Sequence, residues 1–301
     1  MKQIAATAVL IAACLASVAH AADFQSNYIS VTKQGTGPDV VLLHGFASSS
    51  DVWKGVAEKL NNRFTLHLVQ VAGFAGVPAP DKVPSNYLDT IRDEVLRYVQ
   101  EQKLDDPTLV GHSMGGLTSI RVAAKSPELV GSVIVVDSLP FFSLIFNPSA
   151  TAELVAPQAK AMEQFLIAQN ETQFVEQAKR SIAILTKRET KRELALQWSK
   201  TSDRKVYAQL LRELMSHDAR PELKEIRCPV TVIYPFDEGV NVTEERVRGL
   251  YSTAYKELDG VRLRGIADSF HFIMWDQPEK LFRDLAESLS ATSKPDSRHN
   301  P

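Results

Sequence analysis

A Gly-x-Ser-x-Gly turn set between a strand and a helix constrains this chain more than any other feature. The run Gly111-His112-Ser113-Met114-Gly115-Gly116 directly follows Thr108-Leu109-Val110, which reads as a short buried strand, and a helix is expected over 115–125. So abrupt a reversal leaves no room for a side chain at Gly111 or Gly115. It pushes Ser113 out at the carboxyl end of the strand, while the helix that follows aims its first amides at the same point. In isolation the pattern is a glycine-rich turn joining two elements. With strand before and helix after, it predicts an exposed serine nucleophile.

The rest of the chain supplies a matching framework. Strand-like runs at 28–32, 39–43, 64–71, 108–110, 132–136, 228–234 and 261–266 alternate with helical spacing at 52–60, 87–100, 115–125, 243–255 and 278–289. Runs such as Val133-Ile134-Val135-Val136 are apolar without alternation, as in strands covered on both faces. The expected class is therefore α/β, a mostly parallel, doubly wound sheet. Residues 139–223 break the rhythm: they contain no convincing strand and read as helices, among them 159–169, 173–185 and 206–217. The expected organisation is a core of 22–138 and 224–290, a helical insertion over 139–223, and a disordered polar tail at 291–301.

The first residues stand apart. Lys2 precedes an apolar stretch over 4–18, and Ala19-His20-Ala21 places small residues before Ala22, so a signal peptide cleaved after Ala21 is expected. The stretch is too short to serve comfortably as a membrane span. The competing reading, lipidation at Cys14, leaves an unusually short leader. Removal of the leader leaves Cys228 alone, entering an apolar run where a structural thiol is expected rather than a nucleophile. This places the mature protein in the periplasm or outside the cell. The 34 basic and 36 acidic residues of the full chain are interspersed, without the one-sided patch that nucleic acid or an anionic membrane would require.

Ser113 needs a base. Of seven histidines, His20 and His299 lie near the ends, His67 falls mid-strand, His217 in the insertion, and His44 and His112 within motifs. His271, in Ser269-Phe270-His271-Phe272 after the last strand, is the expected base; its structural alternative is a core histidine among Phe270, Phe272 and Trp275. The acid that orients it is expected after a strand between Ser113 and His271. Asp237, in Tyr234-Pro235-Phe236-Asp237-Glu238, is the first choice, with Glu238 and Asp137 as alternatives. His44-Gly45-Phe46 follows the strand Val40-Val41-Leu42-Leu43. In such a sheet the Phe46 and Met114 amides are the expected oxyanion donors, with His44 ordering the loop. Phe141, Phe142, Ile145 and Phe146 open the insertion and are candidates for an apolar substrate pocket, or for the insertion's own core. No residue cluster has metal-ligand spacing and no phosphate-binding glycine loop is present, so no metal or other cofactor is implied.

Together, His44-Gly45-Phe46, the Gly111 to Gly116 turn and the late His271 resemble the α/β-hydrolase superfamily, in particular bacterial esterases, lactonases and carbon–carbon hydrolases. The resemblance covers about 28–289, with 139–223 placed as that family's helical cap. It implies hydrolysis of a small or medium carboxylic ester or lactone through an acyl-enzyme. A non-catalytic binder of an apolar ligand and a cofactor-free perhydrolase are the alternatives. Serine at the elbow argues against relatives that open epoxides or remove halides, which carry aspartate there. Pro235 stands where the family's acid loop usually has glycine, and this departure keeps Glu238 and Asp137 open.

Overall fold

A computed structural model describes residues 24–292. The expected leader through Ala21 and the tail from 293 onward lie outside the described residues. Strands β1 (Ile29–Gly35), β2 (Asp39–Leu43), β3 (Thr65–Val71), β4 (Thr108–His112), β5 (Ser132–Val136), β6 (Val230–Phe236) and β7 (Arg262–Ala267) form one seven-stranded sheet. Its order is β1-β3-β2-β4-β5-β6-β7; β1 runs antiparallel to β3, and every other neighbouring pair is parallel.

Period-two geometry explains how unbroken apolar strands build two cores. Val41, Leu43, Leu109, Val133, Val135 and Val232 face one side, against α2 (Tyr87–Glu101), α3 (Met114–Lys125) and α8 (Glu244–Ala254). Val40, Leu42, Val110, Ile134, Val136 and Ile233 face the other, against α1 (Lys54–Leu60) and α10 (Pro278–Thr292). Each such side chain taken out of water contributes roughly 1.5–3 kcal/mol before entropy is set against it. The last helix runs to Thr292, two residues into the segment expected to be tail.

Between β5 and β6 lie α4 (Ala152–Ala168), α5 (Glu171–Ala183), α6 (Glu189–Thr201) and α7 (Arg204–Ser216). Helix α4 starts seven residues before the expected 159, capped by Thr151, whose hydroxyl accepts from the Leu154 amide; Pro157 lies inside it. The expectation did not single out α6, because its charged sequence buries only Ala195, Trp198 and Ser199. Helix α7 ties the insertion to the core. Its buried Glu213 accepts from the Tyr87 and Leu88 amides, at 3.2 and 2.6 Å, so a carboxylate satisfies the first turn of α2. Among the described residues no helix is long and apolar enough to cross a membrane.

Candidate active site

Ser113 joins β4 to α3 with φ +54° and ψ −120°, a conformation that costs a non-glycine residue on the order of 1–3 kcal/mol. The glycines make the turn possible. A Cβ on Gly111 would lie 2.1 Å from the Gly115 carbonyl oxygen, and one on Gly115 would lie 2.4 Å from that of Leu43. The Ser113 amide donates to the Val136 carbonyl at 3.0 Å, fastening the turn to the end of β5.

Strand register then decides which carboxylate is beside it. His112 pairs with Val136, so Ser113 and Asp137 leave adjacent strands level with each other at the carboxyl edge. His271 lies between β7 and the short helix α9 (Ile273–Asp276), and its Nδ1 hydrogen-bonds Asp137 Oδ2 at 2.5 Å. The other carboxylate oxygen of Asp137 accepts from the Tyr251 hydroxyl at 2.5 Å. Tyr251 is buried, with its ring stacked on those of Tyr234 and Tyr255. Burial and the neighbouring Asp137 charge push its phenol well above its usual range, so it stays protonated and donates.

The first-choice acid, Asp237, is therefore corrected: His271 is bonded to Asp137. Val136 pairs with Ile233, which sets Asp137 level with Tyr234 and leaves Asp237 three residues beyond, about 10 Å of extended chain. Pro235 does not end the strand; β6 continues to Phe236 and carries Asp237 past the site. There its carboxylate accepts from the Gly239 amide at 2.9 Å and pairs with Lys187 at 2.5 Å, and the lysine pulls its pKa down. Glu238 points into solvent.

Two neutral histidines brace the surroundings. His44 Nε2 accepts from the Val71 amide at 3.0 Å while Nδ1 donates to the Gly45 carbonyl at 2.7 Å, which fixes one tautomer and the loop carrying Phe46. Burial lowers its pKa to about 4. His112, fully buried and held well below the ordinary range by burial, donates from Nε2 to the His271 carbonyl at 3.1 Å. Both must stay neutral in the fold, whereas the unfolded chain takes up protons as pH falls below about 6.5. Their contribution is complete above that pH and is lost toward pH 4. For His44 alone this amounts to about 2–3 kcal/mol by pH 4.5. The urea midpoint should fall over this range in the wild type, and less steeply in His44→Gln.

A second carboxylate ties the His271 loop to the insertion. Buried Asp276 accepts from the Phe270 amide at 2.9 Å, the Thr186 hydroxyl at 2.6 Å and the Lys187 amide at 3.0 Å. Phe272 donates to the Leu185 carbonyl at 2.9 Å.

Ser113, His271 and Asp137 share a cavity of about 190 Å³ with Phe46, Met114 and Phe142. Leu211 and Leu214 of α7, and Leu185 after α5, close it from the insertion side. Of the four residues expected there, Phe142 and Ile145 line it and Phe141 and Phe146 do not. Phe141 points into the core with the Arg220 guanidinium 5.3 Å from its ring centre, and Phe146 is 70% exposed, edge-on to Phe142. Sequence reasoning missed the three leucines and Tyr251. The Val206, Leu210, Leu214 spacing marks a buried stripe without showing where it faces, and no local pattern separates Tyr251 from a core tyrosine.

Among the described residues, no hydrogen bond uses the Phe46 or Met114 amide. The Ser113 hydroxyl is likewise unbonded there; catalytic hydrogen bonds of this kind are often long before substrate binds. Cys228 is half-buried and its thiol is pushed up to about 11 by burial, which suits a structural thiol. Larger hollows flanked by α4 and α5, and by α1 and α6, contain none of the Ser113 cluster.

Residues 40–285 match the model of the alpha/beta hydrolase family. The chain is 38% identical over 114 residues to the pimeloyl-[acyl-carrier protein] methyl ester esterase of Aeromonas hydrophila, covering 38% of this chain and 43% of the relative. It is 32% identical over 114 residues to the 2-(acetamidomethylene)succinate hydrolase of Mesorhizobium japonicum, covering 38% and 40% respectively. The chain thus matches about two fifths of the length of these relatives. The enol-lactonase of Burkholderia xenovorans LB400 superposes with a TM-score of 0.69 at 17% identity, covering 87% of this chain and 96% of that one, a likeness of fold.

Proposed function

The chain belongs to the alpha/beta hydrolase family, and from that premise we propose that it is a serine hydrolase that cleaves a small or medium carboxylic ester or lactone through an acyl-enzyme. The observation that carries this reading is the His271–Asp137 bond in a cavity shared with the strained Ser113. His271 Nε2 takes the Ser113 proton as Oγ attacks the substrate carbonyl, and the Phe46 and Met114 amides hold the negative oxygen that forms. Asp137 keeps Nδ1–H in place and stabilises the imidazolium. The proton then passes to the leaving alkoxide, or to the ring oxygen of a lactone. Water activated by His271 attacks the acyl-enzyme, and Ser113 leaves with its proton restored.

The relatives, a methyl ester esterase, a 2-(acetamidomethylene)succinate hydrolase and an enol-lactonase, support hydrolysis and differ on the substrate. The residues of the leader support action in the periplasm or outside the cell, which N-terminal sequencing of the exported protein checks by a start at Ala22.

The unbonded Ser113 hydroxyl favours the alternative of a non-catalytic binder. Rapid mixing with p-nitrophenyl acetate separates the two. An acyl-enzyme route whose second half is slow gives a burst of one p-nitrophenolate per enzyme and an acetyl adduct by mass. Absence of both burst and turnover across a panel of esters and lactones contradicts the serine-hydrolase reading.

A further inference from the structure

We propose that the cavity over Ser113 takes an uncharged acyl group and rejects esters whose acyl chain ends in a carboxylate. This deepens the serine-hydrolase reading and rests on it. The argument starts from what the cavity wall lacks. Among the described residues its lining includes no lysine and no arginine, and its ionisable groups are Asp137, His271, His112 and Tyr251. His112 is kept neutral by burial, and the Tyr251 hydroxyl is committed to Asp137. The Ser138 hydroxyl faces the Leu139 carbonyl at 3.5 Å, and the insertion side is Phe142, Ile145, Leu185, Leu211 and Leu214.

The cations carried by nearby segments are engaged elsewhere. Lys187, two residues past the lining Leu185, is paired with Asp237 at 2.5 Å. Arg188 donates from Nε to the Trp275 carbonyl at 3.1 Å. Arg220 pairs with Asp218 at 2.5 Å and lies over the Phe141 ring, on the core side of that loop. A carboxylate carried into the cavity would lose its water, meet leucine and phenylalanine, and share the space with the negative Asp137. Burial without a partner and like-charge proximity both oppose it. A methyl group at the same place loses nothing and buries apolar area. The family leaves the charge of the acyl group open; the wall of this cavity closes it.

The test compares p-nitrophenyl hexanoate with the mono-p-nitrophenyl ester of adipic acid, which has the same six-carbon acyl chain with a terminal carboxylate. The value of kcat/KM is measured for each at pH 8, alongside fluorophosphonate labelling of Ser113. The expected preference for the hexanoate is about 100-fold, and Leu211→Lys, which places a cation on the wall, should narrow it at least tenfold. Should Leu211→Lys fail to fold, the wild-type ratio decides. A wild-type preference under tenfold, on enzyme that labels at Ser113, overturns the proposal while leaving the serine-hydrolase reading intact. No turnover of either ester together with no labelling overturns that reading, and the proposal with it.

Discussion

Asp137→Asn is expected to lower kcat by on the order of 10⁴-fold, whereas Asp237→Asn leaves it within about threefold. Asp137 is the carboxylate bonded to His271 Nδ1, and the Tyr251 hydroxyl occupies its other oxygen. The amide introduced by Asp137→Asn can keep the bond from Tyr251 through its carbonyl oxygen. Its NH₂ then faces Nδ1 and stabilises the tautomer with the proton on Nε2, which cannot accept from Ser113. Size and packing are retained, so the thermal midpoint should move by only a few degrees while turnover collapses. Among the described residues, Asp237 bonds Lys187 and neighbouring backbone and nothing else. Its loss breaks an ion pair with Lys187, a partly exposed lysine that can turn to water instead. Steady-state kinetics of the two purified variants on one ester give the comparison. Equal losses, or a larger loss at 237, would reassign the acid.

Ser113→Ala should remove turnover more completely, by a factor on the order of 10⁶, with the fold preserved. Alanine fits the space of serine and keeps the Gly111 and Gly115 contacts that shape the turn. The backbone strain at φ +54° remains, so stability should differ by less than about 1 kcal/mol. Residual activity above the uncatalysed rate is expected, because the Phe46 and Met114 amides survive the substitution. Binding of a non-hydrolysable ketone analogue should weaken only to the extent that it forms a hemiketal with Ser113. Progress curves on the variant, beside its urea unfolding curve, separate lost chemistry from lost folding.

What the sequence disclosed and what it withheld have physical reasons. The turn around Ser113 was legible because its steric demand appears directly as glycine at 111 and 115, where a Cβ has no room. The parallel sheet was legible because strands covered on both faces lose the usual alternation, as in Ser132–Val136. His271 stood out because the other histidines had evident places. The acid was not legible, since its identity depends on the pairing of Val136 with Ile233 and on β6 running through Pro235 to Phe236. Composition and periodicity carry no register between strands nearly one hundred residues apart. The pocket was read only in part for a similar reason: Phe141 and Phe142 are adjacent, and a bend of the loop sends one into the core and the other to the cavity.

The central claim is that Ser113 is a nucleophile activated by His271. Its most direct test is fluorophosphonate labelling of the purified protein, read by intact mass and peptide mapping, with Ser113→Ala as control. The account predicts one adduct per chain, mapped to Ser113, absent from the control and formed far more slowly in Asp137→Asn. Folded protein that takes up no label, or takes it up at a residue other than Ser113, would contradict it.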